Sequence, residues 1–214
     1  MTTHNVMTHP MKQLIYTVSL LLVPFFVLAG GNEDAPTRYP VNTDSSAVTW
    51  AGKQVTHDHY GDIQISNGQI TVTDGLISAA TVIIDMTTIN TMDIEGRGKT
   101  SLDGHLRSDD FFGVESFPTA QFELLNLNPL RSAENGANFA ATGKVTIKGR
   151  TDKVSFPVTV SMSEEGARIS GEMTLDRSKF DVQFRSQSFF DAKALGDKLI
   201  YDEFTIGFDL VAGK

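Results

Sequence analysis

The sequence predicts an all-β protein with antiparallel strands, arranged as a barrel or a sandwich. Two observations carry this prediction. Apolar and polar residues alternate with a period of two over many short runs, which is typical of strands buried on one face. Pairs such as Asn67-Gly68 and Asp74-Gly75 separate these runs, and such pairs favour the tight turns of hairpins. A parallel sheet with crossover helices does not fit this spacing.

The strands can be placed in order along the chain. The alternating runs read SAVTWAG, QITVT, TVIIDM, TAQFELL, KVTIK, KVSFPVTVSM, ARISGEMTL and EFTIGFDL. In the clearest run every second residue from Val154 to Met162 is apolar, although Pro157 interrupts it and must lie at an edge or a bulge. Between about Thr91 and Gly113 the alternation stops, charges cluster, and Leu102 and Leu106 fall four residues apart. This interval predicts a helical insert.

The front of the chain has the layout of a secretory signal. Lys12 precedes an apolar run from Leu14 to Ala29 that contains Pro24 and ends in small residues. The run is too short and too interrupted for a typical membrane-spanning helix. We therefore predict a bacterial Sec-type signal peptide over residues 1–30, cleaved near Ala29 or Gly30.

The remaining boundaries follow from this signal. Residues 1–10 are interpreted as an upstream extension, residues 31–38 as an acidic linker, and residues 39–212 as the folded domain. Gly31 stands where a bacterial lipoprotein would carry its lipidated cysteine, and the chain has no cysteine. The expected product is a periplasmic or secreted protein with no stable membrane insertion after cleavage.

Composition excludes several classes of function. The absence of cysteine rules out disulfides, thiolate catalysis and cysteine-ligated zinc. Removing the signal takes away only Lys12, which leaves 17 basic against 26 acidic residues, a net charge of −9. Such a chain repels phosphate backbones, so no nucleic acid partner is expected. The sequence leaves open whether the protein forms a homodimer.

Motifs that would indicate an enzyme are weak or missing. Gly98-Lys99-Thr100 matches the end of a phosphate-binding loop, but Asp93 occupies the position of its first glycine. The sequence contains no GxSxG elbow and no HExxH pair. Asp109 and Asp110 are adjacent and better suited to capping a turn than to sharing a proton. We expect no catalytic residues and no cofactor.

Three histidines support an alternative function. His57 and His59 would share one face of a strand, and a third ligand from His105 could complete a metal site. This spacing is the sole support for a metal-binding protein or a metal-assisted enzyme. A histidine pair at a strand end without metal is the more common arrangement, so no metal residue is assigned.

One segment carries a family resemblance. GHLRSDDFFGVESFPTAQFEL, with its histidine, basic residue, serine and paired phenylalanines before an aromatic-proline step, resembles the YceI family of exported bacterial proteins. Further segments resemble the same family, namely YPVNTDSSAVTWAGKQVTHDHYGDI, VIIDMTTINT, ATGKVTIKGRTDKVSFPVTV and LDRSKFDV. Together they cover about Tyr39 to Ala212. The chain departs from the family pattern where Asp176 replaces a common asparagine and Asp181 a usual glycine.

The resemblance implies a fold and a ligand. It implies a lipocalin-like antiparallel barrel of about eight strands, with the helical insert near the mouth. Its interior would hold a long apolar molecule, a polyisoprenoid or a fatty-acid derivative, for transport or storage without catalysis. The alternating faces would then supply the ligand's wall: Trp50, Val72, Val82, Ile84, Phe111, Phe112, Phe122, Leu124, Val145, Ile147, Phe156, Val158, Val160, Phe204, Ile206 and Phe208.

The polar residues of the insert suggest recognition at the rim. We expect His105, Ser108 and Arg107 to offer hydrogen bonds there. Arg177 would join Arg107 in holding a polar head group. The alternatives remain that the paired phenylalanines are plain core and that the arginines form ion pairs with Asp109, Asp110 or Asp176. A stress-related interaction protein with a filled barrel is the third functional alternative.

Overall fold

The computed structural model describes residues 1–2, 35–131 and 136–213. All of the predicted signal peptide except its first two residues, and the first half of the predicted linker, lie outside these residues. The described strands belong to the compact unit Glu33–Lys214. They are β1 (Thr37–Pro40), β2 (Ala47–Gln54), β3 (Asp58–Thr73), β4 (Leu76–Thr91), β5 (Thr119–Pro129), β6 (Phe139–Ile147), β7 (Arg150–Ser163), β8 (Gly166–Asp176) and β9 (Ile200–Gly213). The helices are α1 (Gly96–Arg107) and α2 (Ala192–Leu195), with 3₁₀ turns at Arg177–Phe180 and Gly196–Lys198.

Eight of these strands close into an antiparallel barrel. The ring runs β3-β2-β9-β8-β7-β6-β5-β4, and β4 pairs again with β3. The short β1 pairs with the second half of β3, opposite Gln69 to Val72. Closure removes most sheet edges, which are otherwise sites of unwanted pairing. The prediction of an all-β, lipocalin-like barrel with a short helical insert is confirmed.

At two places in the ring, adjacent strands stop pairing before they end. β4 and β5 pair only where Thr81–Asp85 lie opposite Thr119–Glu123. Beyond this ladder, Leu76–Ala80 and Leu124–Pro129 face each other unpaired. We call this opening in the wall the β4–β5 gap.

The second opening lies toward the other end of the barrel. The ladder between β7 and β8 begins at Val158, which leaves residues 150–157 and 172–176 unpaired on their facing edges. We call this opening the β7–β8 gap. Pro157 lies at its border, where a missing N–H costs no ladder bond to β8.

The helical insert is fixed to the barrel by a buried carboxylate. Asp103 on α1 accepts hydrogen bonds from the amide nitrogen (2.9 Å) and hydroxyl (2.6 Å) of Thr91 at the end of β4. The Lys99 ammonium lies 2.7 Å from the same carboxylate and also donates to Asn90 Oδ1 and the Thr91 carbonyl oxygen. The residues that resemble a phosphate-binding loop therefore lie in α1 and anchor it.

This anchor should make stability depend on acid pH. Burial by itself would raise the pKa of Asp103, but the hydrogen bonds from Lys99 and Thr91 outweigh it and lower the pKa. Since the folded pKa lies below the unfolded value of about 3.9, the stabilisation is complete above that pH and is lost as pH falls through the folded pKa. We expect Asp103→Asn to cost about 1–3 kcal/mol at neutral pH and to weaken the loss of stability below pH 4. Urea titrations at several pH values would measure both, and an unchanged acid dependence would contradict the assignment.

Candidate functional site

An apolar cavity of about 220 Å³ lies inside the barrel. Its wall takes side chains from each of the eight barrel strands, from α1 and from the segment after α1. Along the regular stretches of the strands, inward positions alternate with outward ones, which explains why a local sequence pattern can indicate the wall. Such a space suits a molecule without polar groups along its length.

Most residues expected at the ligand wall line this cavity. Val72 is the exception: it is buried in the core at one end of β3 and has no position on the wall. The lining residues that had been singled out from the sequence are Trp50, Val82, Ile84, Phe111, Phe112, Phe122, Leu124, Val145, Ile147, Phe156, Val158, Val160, Phe204, Ile206 and Phe208.

Other wall residues were missed because the alternation shifts inside a strand. In β5 the pairing with β6 slips between Leu124 and Asn126, so one residue is extra at this bulge. Leu127, and not Asn126, therefore faces the cavity. Ala141 lies opposite Leu127 on β6 and is also part of the wall. An abrupt change of phase in the apolar pattern of LLNLN is the one signal that could have shown this.

Two inward aromatic rings lie flat against the wall because a glycine on the next strand makes room. A side chain at Gly61 would place its Cβ 2.7 Å from the Trp50 ring and 1.9 Å from the Asn90 carbonyl oxygen. A Cβ at Gly143 would lie 2.3 Å from the Phe122 ring. These close approaches let large rings cover the sheet without filling the interior.

Arg177 lies inside the protein, and four of its five N–H groups donate to carbonyl oxygens. Its side chain is 3% exposed. Nε donates to the Tyr201 carbonyl oxygen (3.1 Å) and Nη2 to that of Ile200 (2.9 Å), while Nη1 donates to Val182 (2.9 Å) and Phe184 (3.0 Å). The guanidinium thus ties the segment between β8 and β9 to the start of β9.

The buried carboxylate of Asp202 forms an ion pair with Arg177. Asp202 Oδ1 lies 3.4 Å from Arg177 Nη2, and Asp202 Oδ2 accepts from the Ser188 hydroxyl at 2.7 Å. Burial lowers the pKa of Arg177, against the opposing effect of the Asp202 and Asp176 charges. The Phe111 ring lies 5.6 Å from the guanidinium carbon, and both residues line the cavity.

The other expected rim residues lie at α1, outside the cavity wall. The His105 ring packs edge-on against the rings of Phe111 and Phe184, with ring centroids 5.7 Å and 4.4 Å apart. Arg107 Nη2 donates to the Ile89 carbonyl oxygen, and Ser108 Oγ donates to that of His105. Buried Arg107 Nε and His105 Nε2 have no hydrogen-bond partner among the described residues.

The histidines do not assemble into a three-ligand set. The rings of His57 and His59 are 4.8 Å apart, and His59 Nδ1 lies 2.7 Å from Asp93 Oδ2. Burial would raise the pKa of Asp93, but the Tyr60 amide and His59 outweigh it and lower the pKa. His105 lies elsewhere, among phenylalanine rings. In residues 35–131 and 136–213 no three potential metal ligands meet at one point.

Comparison with known proteins identifies the family. A model of the YceI-like domain matches residues 39–212, which is most of the chain. The chain belongs to the YceI-like family. Among curated proteins no sequence matches significantly. No helix in the described part of this YceI-like protein is long and apolar enough to cross a membrane.

Two solved structures share the YceI-like fold. BcnA from Burkholderia cenocepacia is 24% identical with a TM-score of 0.61, covering 79% of this chain and 98% of its own. A polyisoprenoid binding domain from Saccharophagus degradans, implicated in plant cell wall breakdown, is 12% identical with a TM-score of 0.55. That match covers 82% of this chain and 97% of the domain. At these identities the likeness shows the fold alone.

The two departures from the YceI pattern, Asp176 and Asp181, flank the turn after β8. Asp181 adopts a left-handed conformation (φ 59°), which glycine adopts readily and aspartate tolerates. Its carboxylate accepts from Gln183 Nε2 at 2.7 Å. Asp176 accepts from the Ser178 amide at 2.9 Å and so caps the turn, as an asparagine could.

Proposed function

We propose that this protein binds a long apolar molecule, a polyisoprenoid or a fatty-acid derivative, inside its barrel and carries or stores it without catalysis. The observation that carries the proposal is the apolar cavity extending from Arg177 to Leu127 through the barrel. The polyisoprenoid binding described for the domain from Saccharophagus degradans supports the ligand class. The signal-like front of the chain supports a location in the periplasm or outside the cell.

The energetics permit such binding. Burying about ten methylene groups at ~0.8 kcal/mol each gives roughly 8 kcal/mol before the cost of ordering the ligand. That gross value corresponds to a dissociation constant of about micromolar order. A longer isoprenoid would add further methylene and methyl groups.

A polar head group would have to find its partners near α1. Arg177 is poorly placed for this role, because four of its five N–H groups donate to carbonyl oxygens and Nη2 also lies 3.4 Å from Asp202 Oδ1. Arg107 Nε and His105 Nε2 remain without partners among the described residues. We therefore retain Arg107, with His105 and Ser108 beside it, as the candidate for head-group binding and assign Arg177 to the framework.

The direct test is extraction. Protein purified from its natural host would be extracted with organic solvent and the extract analysed by mass spectrometry. We expect one class of long-chain apolar molecule in near-stoichiometric amount. An empty extract in repeated preparations, together with no uptake of a prenyl or fatty chain by the purified protein, would refute the proposal.

Filling the cavity should abolish binding. Ala141 is 3% exposed and faces the interior, whereas its neighbour Ala140 faces outward on the same strand. We expect Ala141→Phe to weaken binding of geranylgeraniol at least about tenfold, because the ring occupies the space the chain needs. Ala140→Phe is the matched control and should leave affinity within about twofold. Equal losses in both variants would show that the ligand binds elsewhere.

A further inference from the structure

The two gaps in the barrel wall differ in what covers them. At the β7–β8 gap the 3₁₀ turn Arg177–Phe180 lies against the wall. Phe180 is 1% exposed and Val182 is fully buried, and Arg150 forms an ion pair with Asp181 across this region (3.3 Å). This gap is therefore closed by packed apolar side chains.

Among residues 35–131 and 136–213, nothing comparable covers the β4–β5 gap. None of the residues in Leu76–Ala80 or Leu124–Pro129 is buried. Leu76 and Leu125, on its outer side, are 63% and 45% exposed. Each segment keeps its ladder on the far side, to β3 and to β6, so only the two facing edges lack partners.

Both edges are free of charge. They read LISAA and LLNLNP in a chain of which 21% is Asp, Glu, Lys or Arg. Soluble proteins usually protect an open strand edge with charged residues, especially lysine. An uncharged, leucine-rich edge imposes little desolvation cost on an apolar chain that passes over it.

The gap is continuous with the cavity. Ile77 and Ala80 on β4, and Leu124 and Leu127 on β5, are wall residues of the cavity and also belong to the two unpaired segments. An apolar path thus leads from the exposed leucines at the surface to the interior. The opposite end of the barrel is packed by Phe111, Phe180 and the Arg177 network.

We propose that the β4–β5 gap is the passage through which the apolar ligand enters and leaves the barrel. This inference rests on the proposed function and adds the route to it. The edges can separate further at low cost because no hydrogen bonds of the β4–β5 ladder join them. The ligand then moves sideways through the wall, and α1 need not open.

Because the chain has no cysteine, a single introduced thiol can be labelled to block the gap. In Ala79→Cys a single thiol at the gap would be coupled to a bulky polyethylene glycol maleimide. Thr174→Cys, on an exposed position of β8 beside the closed gap, carries the same label as the matched control. Trp50 is the one tryptophan of the chain and lines the cavity. The change in its fluorescence after stopped-flow mixing therefore measures the rate at which the protein takes up cis-parinaric acid.

We expect the label at position 79 to slow both uptake and release by roughly tenfold or more, with equilibrium affinity nearly unchanged. The label at position 174 should leave both rates within about twofold. A second experiment joins the edges: Ala79→Cys/Leu125→Cys bridged by a short bifunctional maleimide should slow exchange, whereas Thr81→Cys/Glu123→Cys, inside the existing ladder, should not.

The outcomes separate the two proposals. If neither the unlabelled protein nor any variant takes up cis-parinaric acid or geranylgeraniol, the proposed function fails and the passage fails with it. If all variants bind but the label and the bridge at the gap leave the rates unchanged, the passage is wrong and the binding function stands. Slowing by the label at position 174 instead would place the route at the β7–β8 gap.

Discussion

Replacing Arg177 with methionine is expected to lower the free energy of unfolding by about 3–5 kcal/mol. The substitution would leave Asp202 as a buried charge without its cation. It would also remove the donors that satisfy four carbonyl oxygens, two in the segment between β8 and β9 and two at the start of β9. Buried acceptors left without partners cost more than the net gain of forming such bonds, so the loss should be large. Chemical denaturation followed by circular dichroism would measure it.

An exposed arginine provides the matched control. Arg168 forms a two-bond ion pair with Asp209, but its side chain is 65% exposed. Hydrogen bonding from Arg168 lowers the pKa of Asp209, yet solvent screens such a pair. Arg168→Met should therefore cost under about 1 kcal/mol. Similar losses at both positions would mean that the burial of Arg177 adds nothing to stability.

Alanine at Gly61 is expected to destabilise the barrel by about 3 kcal/mol or to prevent folding. The new Cβ would lie 1.9 Å from the Asn90 carbonyl oxygen, which belongs to the backbone of β4 and cannot turn away. It would also push the Trp50 ring off the wall. Thermal unfolding would measure the first effect and tryptophan emission the second.

A second glycine near Trp50 provides the matched control for Gly61→Ala. Gly52 lies two residues along β2, and a Cβ there would meet no atom within 4 Å. Gly52→Ala should change stability by no more than about 0.5 kcal/mol and leave Trp50 emission unchanged. If both variants behave alike, the loss at position 61 reflects strand propensity and not the close approach.

Local patterns explain why much of the barrel could be predicted. The period of two depends only on neighbouring residues, so it indicated which side chains of β7, from Val154 to Val160, share one face. The same rule failed at Leu127, because the bulge before it depends on pairing with β6. Alternation also could not separate Val72, in the core at one end, from the residues that line the cavity.

Arg177 shows that hydrogen bonds between residues far apart in the sequence could not be predicted. From its sequence it was expected at the barrel mouth with a head group or an aspartate as partner. Its partners are carbonyl oxygens on both sides of a long connection, up to Tyr201. No local sequence pattern indicates that the guanidinium and these carbonyl oxygens lie close together, because the chain must first fold back on itself.

The sequence by itself determined the all-β class, the helical insert and, through its resemblance, the YceI-like barrel, since turn chemistry, periodicity and motifs are local properties. Tertiary structure alone decided which ladders stop short. Whether two neighbouring strands stay paired depends on twist and closure of the whole ring, which no single strand encodes. For that reason the sealed β7–β8 gap and the uncharged β4–β5 gap became visible only in the folded protein.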